Sequence, residues 1–281
     1  MDTLVSSAKQ EVLISPDQPT VLIGERINPT GKKKLAAALK EGHMEVLRKE
    51  AIDQVEAGAD ILDVNIVTPG IDEVSLLPRA VQEIRSVVDV PLCLDFNNSK
   101  ALKEALNVYE GKPIVNSVTG EEKSLNEILP LVKEYGTAVI GLTIDEKGIP
   151  KEPSRRLAIA QRIVDRAESL GIQREDVIID CLVLAIGADH KAGRTTLESI
   201  SRVKAEIGVN QTIGASNISF AMPNRNCLND SFLSTAIWCG VTCPTLDVAK
   251  ARMTVLAGDL IMGRDRFGQR YLKEFRKQRK V

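Results

Sequence analysis

Aromatic side chains make up only 3% of the 281 residues, histidine occurs twice, and the longest apolar runs are short and broken by charges. Each scarcity removes a class of function. No segment is long enough to span a bilayer, and the opening MDTLVSSAKQEVL has neither the basic nor the apolar stretch of a secretory leader. A cytoplasmic protein with no membrane partner is therefore expected. The net charge is −1, so most of the chain lacks the basic stripe and the stacking rings that nucleic-acid binders use. Five cysteines (Cys93, Cys181, Cys227, Cys239, Cys243) form an odd, scattered set with no C-x2-C pair. With so few histidines to join them, buried reduced thiols are expected and no metal site.

What is present is a repeating unit. β-Branched and aliphatic runs at 20–25, 60–65, 90–95, 112–117, 137–143, 176–183, 210–216 and 241–248 read as strands. Amphipathic stretches such as 44–59, 72–88, 154–171 and 195–208 read as helices, and Gly58, Gly136, Gly171, Gly208 and Gly240 fall where helices end. Strand–helix alternation with short links implies parallel strands and right-handed crossovers, and eight such units fit a closed (β/α)8 TIM barrel. An open doubly wound sheet would carry a G-x-G-x-x-G turn, which is absent. The phosphate-loop pattern also fails in GERINPTGK (24–32), where six residues separate Gly24 from Gly31. The expected division is a loose arm over 1–19, packed under the barrel or reaching to a partner, and a single domain over 20–281. The tail from Arg264 carries eight Lys/Arg against two acids and reads as a solvated helix, with a docking patch for an acidic protein as the alternative.

A barrel of this kind builds its site where strands finish. The strand ends here are dominated by one chemistry: Glu25 and Asn28, Asp63 and Asn65, Asp95, Asn97 and Asn98, Asn116 and Ser117, Thr143 and Asp145, Asp180, Ser216 and Asn217, and Asp247. Any one of these residues is an ordinary turn or cap former. A ring of them around one mouth offers paired donors and acceptors. Arg, Lys and His are nearly absent from these positions, so neither a phosphate nor a carboxylate is expected as the central ligand. The set suits a neutral, nitrogen-rich heterocycle whose polar edges must nearly all be matched.

Seven blocks (GERINPTG, ILDVN, LCLD, IVNS, GLTID, IIDCLVL and GASNISFAMPNR) occur in order from 24 to 225. Together they closely resemble the methyltetrahydrofolate:corrinoid protein methyltransferases and the folate-binding domain of cobalamin-dependent methionine synthase, over about residues 20–262. The resemblance implies a pterin-binding (β/α)8 barrel and methyl transfer between N5 of methyltetrahydrofolate and the cobalt of a corrinoid protein. By position it implies that Asp95, Asn116 and Asp180, with Ser117 beside them, bind the pterin. Asp63 and Asn65 are implied either to support that floor or to reach N5 through water. Asn217 falls where the family places a mobile asparagine that turns to N5. Arg225 is implied to hold the p-aminobenzoyl or glutamate portion, or to make a local salt bridge. The catalytic set so implied is Asn217, Asp63 and Asp180, with N5 activated by hydrogen bonding or protonation.

The corrinoid is expected on a partner protein, because D-x-H-x-x-G is absent and Asp189 and His190 are direct neighbours. Family members are commonly homodimers, and the segment 227–262 carries apolar residues that suit an interface. The DFNN and SFAMPNRN segments resemble variants of catabolic demethylation, in which the methyl group flows toward tetrahydrofolate. Two other readings stay open. One is a dihydropteroate synthase-like enzyme, echoed by INPT (27–30) and VTPG (67–70), although TLDV (245–248) lacks the Arg or His expected there. The other is a non-catalytic folate-binding subunit.

Overall fold

Strands buried on both faces read as continuous apolar runs rather than alternating ones. That is the pattern of eight segments here. In a computed structural model, which describes residues 1–278, they are β3 (Ile23–Ile27), β4 (Ile61–Asn65), β5 (Leu92–Asp95), β6 (Ile114–Thr119), β7 (Ala138–Leu142), β8 (Val177–Asp180), β9 (Gln211–Thr212) and β10 (Thr245–Leu246). They form one eight-stranded sheet in the order β10-β3-β4-β5-β6-β7-β8-β9, with every pair parallel. A parallel bridge between Gly214 and Thr245 joins the two end strands and closes the barrel. Around it run α1 (Lys33–Lys40), α2 (Glu45–Ala57), α3 (Glu73–Arg85), α4 (Ser99–Val108), α5 (Glu122–Tyr135), α6 (Pro153–Ser169), α7 (Ala192–Arg202), α8 (Arg225–Cys239) and α9 (Val248–Ile261). The (β/α)8 TIM barrel is thus the observed fold. None of the described helices is long and apolar enough to cross a membrane.

Alternation along each strand divides the core into two layers. Leu22, Leu62, Val64, Leu92, Leu94, Val115, Val139, Val177 and Ile179 face outward and pack with the helices. Ile23, Ile61, Cys93, Ile114, Ala138, Ile140, Ile178 and Cys243 face inward and fill the barrel. Cys93, Cys181 and Cys243 are buried free thiols, whereas Cys227 is exposed and Cys239 is half-buried. The glycines expected at helix ends do that work. Gly58, Gly136 and Gly208 each cap a helix in the left-handed conformation that a side chain disfavours.

The first residues pack under the barrel as a hairpin. β1 (Thr3–Ser6) and β2 (Glu11–Ile14) pair antiparallel, and their Val5, Val12 and Ile14 belong to the barrel's inner cluster. The hairpin therefore stoppers the N-terminal end of the barrel, opposite the strand ends that carry the polar ring. Ser6 and Lys112 exchange backbone hydrogen bonds of 2.9 Å. Asn210, just ahead of β9, donates from Nδ2 to the Met1 carbonyl (3.1 Å), Thr3 Oγ1 (2.9 Å) and the Ile14 carbonyl (3.0 Å).

The basic tail forms α10 (Gln269–Gln278), and it is anchored rather than simply solvated. Arg252 Nε meets Glu274 at 3.0 Å, and Lys277 Nζ donates to the Glu56 carbonyl at 2.7 Å. Fully buried Asp259 accepts from the Thr20 amide (2.9 Å) and hydroxyl (2.7 Å), and lies 3.3 Å from Arg270. It links the C-terminal elements to the lead into β3. The last three residues of the tail, 279–281, lie outside the described residues.

Asn210→Ala removes all three hydrogen bonds that one amide gives to the stopper. The expected cost is about 2–4 kcal/mol of stability, with the hairpin amides exchanging first. Urea unfolding combined with hydrogen exchange over residues 1–15 measures both.

Candidate active site

Counting by twos from the inward apolar layer shows which polar residues share its direction. Ile23 leads to Glu25, Ile61 to Asp63 and Asn65, Cys93 to Asp95, Ile114 to Asn116, and Ile178 to Asp180. Each lies at or near the C-terminal end of its strand, so β3, β4, β5, β6 and β8 deliver a polar layer on top of an apolar plug, and β7 places the apolar Leu142 beside it. Register keeps part of the layer level. Asn65 pairs with Asp95, and Asp95 with Asn116, across adjacent strands.

Two amide–carboxylate pairs form within this layer. Asn65 Nδ2 donates to Asp95 Oδ2 at 2.6 Å, and Asn116 Nδ2 donates to Asp63 Oδ1 at 3.0 Å. Burial raises the Asp63 carboxyl well above the usual carboxylate range, and the nearby charge of Asp95 adds to the rise. Burial likewise raises Asp95, against the opposing hydrogen bond from Asn65. The negative charge of Asp95 thus favours the protonated form of Asp63. Burial moves Asp180 up to about 6, despite the Leu182 amide that donates to its Oδ1 at 2.7 Å and the nearby Arg156. Ser117 follows across the cis Asn116–Ser117 peptide, where the β6–β7 register shifts, and it joins neither pair.

Asp180 is held by a device that the sequence reading missed. Arg156 of α6 is fully buried and donates to the carbonyls of Pro150 (2.8 Å), Cys181 (2.6 Å) and Leu182 (2.8 Å), and to Thr196 Oγ1 (3.2 Å). Leu182 sits at φ 58, a left-handed conformation that costs a non-glycine residue about 1 kcal/mol or more. The guanidinium fixes both carbonyls around that bend. The bend in turn directs the Leu182 amide onto Asp180.

Beside the polar layer opens a cavity of about 570 Å³ between the ends of β3, β9 and β10. Glu25, Asn28, Ser216, Asn217, Arg225 and Asp247 are among its lining residues. Asn217 is exposed in a short 3-10 turn (Ala215–Ser219). Arg225 clamps that turn, giving Nη2 to the Ser216 carbonyl (2.9 Å) and Nε to Ser219 Oγ (3.0 Å), and it makes no salt bridge among the described residues. Glu25 was noted at a strand end but not placed in the site. Its carboxyl forms part of the cavity wall, accepts from Ser216 Oγ at 3.3 Å and is raised by burial. The signal that could have placed it is its inward parity with Ile23.

The expectation of a mouth almost free of cations needs correction. Arg26, Lys32, Arg225 and Lys250 all line the cavity. Three of them come from loops or helices that follow the strand ends, which a survey of strand ends alone overlooks. They are engaged locally: Arg26 with Glu50 (3.4 Å) and Asp247 (3.7 Å), Lys250 with Asp247 (2.9 Å), and Lys32 with the Arg26 carbonyl. Among the described residues no three His, Cys, Asp or Glu side chains gather as a metal-holding group.

Residues 24–244 match the family model described as pterin binding enzyme. The chain belongs to that family. A methylcorrinoid:tetrahydrofolate methyltransferase from Eubacterium limosum is 28% identical over 266 residues, covering 91% of this chain and 96% of that protein. A methionine synthase from Mycobacterium tuberculosis is 30% identical over 242 residues, covering 82% of this chain but 20% of the larger protein. Among solved structures, dihydropteroate synthase from Xanthomonas albilineans with 4-aminobenzoic acid superposes with a TM-score of 0.72 at 15% identity, covering 92% of this chain and 98% of that one. The 7,8-dihydropteroate synthase from Vibrio fischeri gives 0.70 at 14%, covering 93% and 98%. At such identities the structural neighbours establish the shared pterin-binding barrel fold and nothing finer.

The raised Asp180 predicts a pH dependence of definite sign. Between the unfolded value near 3.8 and the folded value of about 6, the folded chain keeps a proton that the unfolded chain has released. Stability therefore falls as pH rises through that window. Asp180→Asn removes this contribution, so the variant gains on the parent between pH 4 and pH 7.5 by on the order of 2 kcal/mol. Urea midpoints at the two pH values measure the gain, and an equal difference at both would rule out the burial account.

Proposed function

We propose that this protein moves a methyl group between N5 of a tetrahydrofolate and the cobalt of a corrinoid carried by a separate protein. The observation that carries the reading is the inward polar layer of Asp63, Asn65, Asp95, Asn116 and Asp180, flanked on one side by the cavity wall that bears Asn217. The name of the Eubacterium limosum relative supports the same chemistry and, in its direction, transfer toward tetrahydrofolate.

In this reading Asp95, Asn116 and Asp180 hold the amino group and ring nitrogens of the pterin. Carboxylates accept from its N–H groups, and the Asn116 carboxamide both donates and accepts. Asn65 and Asp63 act through their partners, fixing the Asp95 carboxylate and the Asn116 amide in the orientation that the ring requires. Ser117 lies at the edge of this floor. Arg225 serves as the clamp of the Asn217 turn and borders the space in which the p-aminobenzoyl portion would lie.

The corrinoid supplies the methyl donor or acceptor when its protein docks over the mouth. This chain's own task is set by N5. A methyl group on a neutral tertiary amine departs poorly, because the pair of electrons left on nitrogen would form an amide anion. A donor aimed at N5 stabilises that pair as it develops, and the Asn217 carboxamide can give an N–H without itself being an acid. Asp63 and Asp180 hold protons at higher pH than ordinary carboxylates do, so either can serve N5 through water. The polar floor keeps the ring flat beneath, leaving the methyl carbon open for in-line passage.

A dihydropteroate synthase-like reaction would have to hold a pyrophosphate. The four cations of the cavity are instead committed to neighbouring acids and carbonyls. Pairing of two copies along 227–262 is supported by Trp238 and Ile261, which are 68% and 83% exposed on the outer helices α8 and α9.

The deciding assay follows the cobalt(I) absorbance of a reduced corrinoid on mixing with methyltetrahydrofolate and the purified protein. Loss of that band with formation of methylcobalt is expected. Pterin binding without any transfer, even to protein-bound corrinoids, would leave a binding subunit instead. Asn217→Ala is expected to lower kcat/KM at least about tenfold, as loss of a donor aimed at developing charge does. Unchanged transfer in that variant would remove Asn217 from the reaction. Asp180→Asn is expected to weaken pterin binding more than turnover, and an unaltered Kd by calorimetry would contradict its place on the floor.

A further inference from the structure

Gly214 closes the barrel through its bridge to Thr245 and opens the turn that carries Asn217. Its backbone does not call for glycine. With φ −77 and ψ 82 it lies on the negative-φ side that residues with side chains also adopt. Space is the reason that remains. A Cβ at this position would stand 2.9 Å from Asn217 Nδ2 and 3.8 Å from its Cγ. Beyond its chain neighbours, no other described heavy atom comes within 4 Å. The missing methyl group thus leaves room for one thing, the Asn217 carboxamide.

The backbone of the turn cannot relieve such a clash cheaply. The Asn217 amide donates to the Gly214 carbonyl at 3.2 Å, the Phe220 amide donates to the Asn217 carbonyl at 3.2 Å, and Arg225 holds the Ser216 carbonyl and the Ser219 hydroxyl. Ser216 is itself tied to Glu25. A side chain at 214 would therefore be accommodated at the flexible end, by rotation of the Asn217 carboxamide away from the strand end.

We infer that Gly214 is a positioning residue: its lack of a side chain sets where the Asn217 carboxamide rests at the barrel mouth, and through it the rate of methyl transfer. The inference rests on the methyl-transfer reading given above. In this inference Gly214 acts through Asn217 alone. That restriction makes the claim testable by a double-mutant cycle, since a residue acting only through another contributes nothing once the other is gone.

The experiment compares the full chain with Gly214→Ala, Asn217→Ala and the double variant. The readouts are thermal melting, calorimetric binding of unmethylated tetrahydrofolate, and single-turnover methyl transfer with a reduced corrinoid. Gly214→Ala should melt with the parent and bind the pterin within twofold. Its transfer rate should fall about tenfold, in keeping with the sensitivity of a reacting geometry to displacements of about 1 Å. The double variant should be no slower than Asn217→Ala. Transfer by Gly214→Ala within twofold of the parent overturns the inference. So does the same tenfold loss in the Asn217→Ala background, because Gly214 would then act by another route. A parent protein that binds the pterin yet transfers no methyl group overturns the underlying reading and takes this inference with it.

Discussion

The alternation of side chains along a strand is the constraint on which the rest of this molecule depends. In an open sheet, polar residues of one parity would spread across a face. In a closed barrel they are driven toward one axis. Ile61, Cys93, Ile114 and Ile178 fill the interior, and two residues later the same strands present Asp63, Asp95, Asn116 and Asp180 to the same space. The candidate site is the top layer of the core with its chemistry changed. Its carboxyls are raised in pKa because of that placement: beneath them there is hydrocarbon, not water.

Holding such groups costs stability, and the surrounding structure offsets the cost with hydrogen bonds. Each carboxylate has at least one fixed donor: Asn116 for Asp63, Asn65 for Asp95, and the Leu182 amide for Asp180. The last depends on the left-handed bend at Leu182, and the bend on the buried guanidinium of Arg156. Pre-organisation of this kind reaches well behind the surface a ligand would touch. A helix on the outside of the barrel takes part in aiming an acid on the inside.

Much of this was legible in the sequence because local and global preferences agree. Runs buried on both faces announce themselves as apolar, glycines end helices where the chain must turn, and strand-end Asp and Asn stand out against apolar strands. The hairpin was less legible. Val5, Val12 and Ile14 alternate correctly, yet what buries them is the open floor of a barrel formed by residues far away in sequence. Arg156 did leave a mark. It shares a helical face with Ile159, Ala160 and Ile163, all buried, so a cation stood on an apolar stripe of α6. The cations of the cavity were hidden for a different reason. Lys32 and Lys250 reach it from beyond the strand ends, and only the folded backbone shows where a long side chain arrives.

The apolar layer that fills the barrel, with the hairpin of β1 and β2 beneath it, imposes an order on events. A barrel packed through its interior opens only at the strand ends, so the small substrate and the large partner must use that mouth in turn. Under the proposed function the pterin enters first, and the corrinoid protein then closes over it. The folate product stays trapped until that protein departs. Turnover then has the logic of an airlock, in which the lifetime of the docked complex, as much as the chemical step, sets the pace.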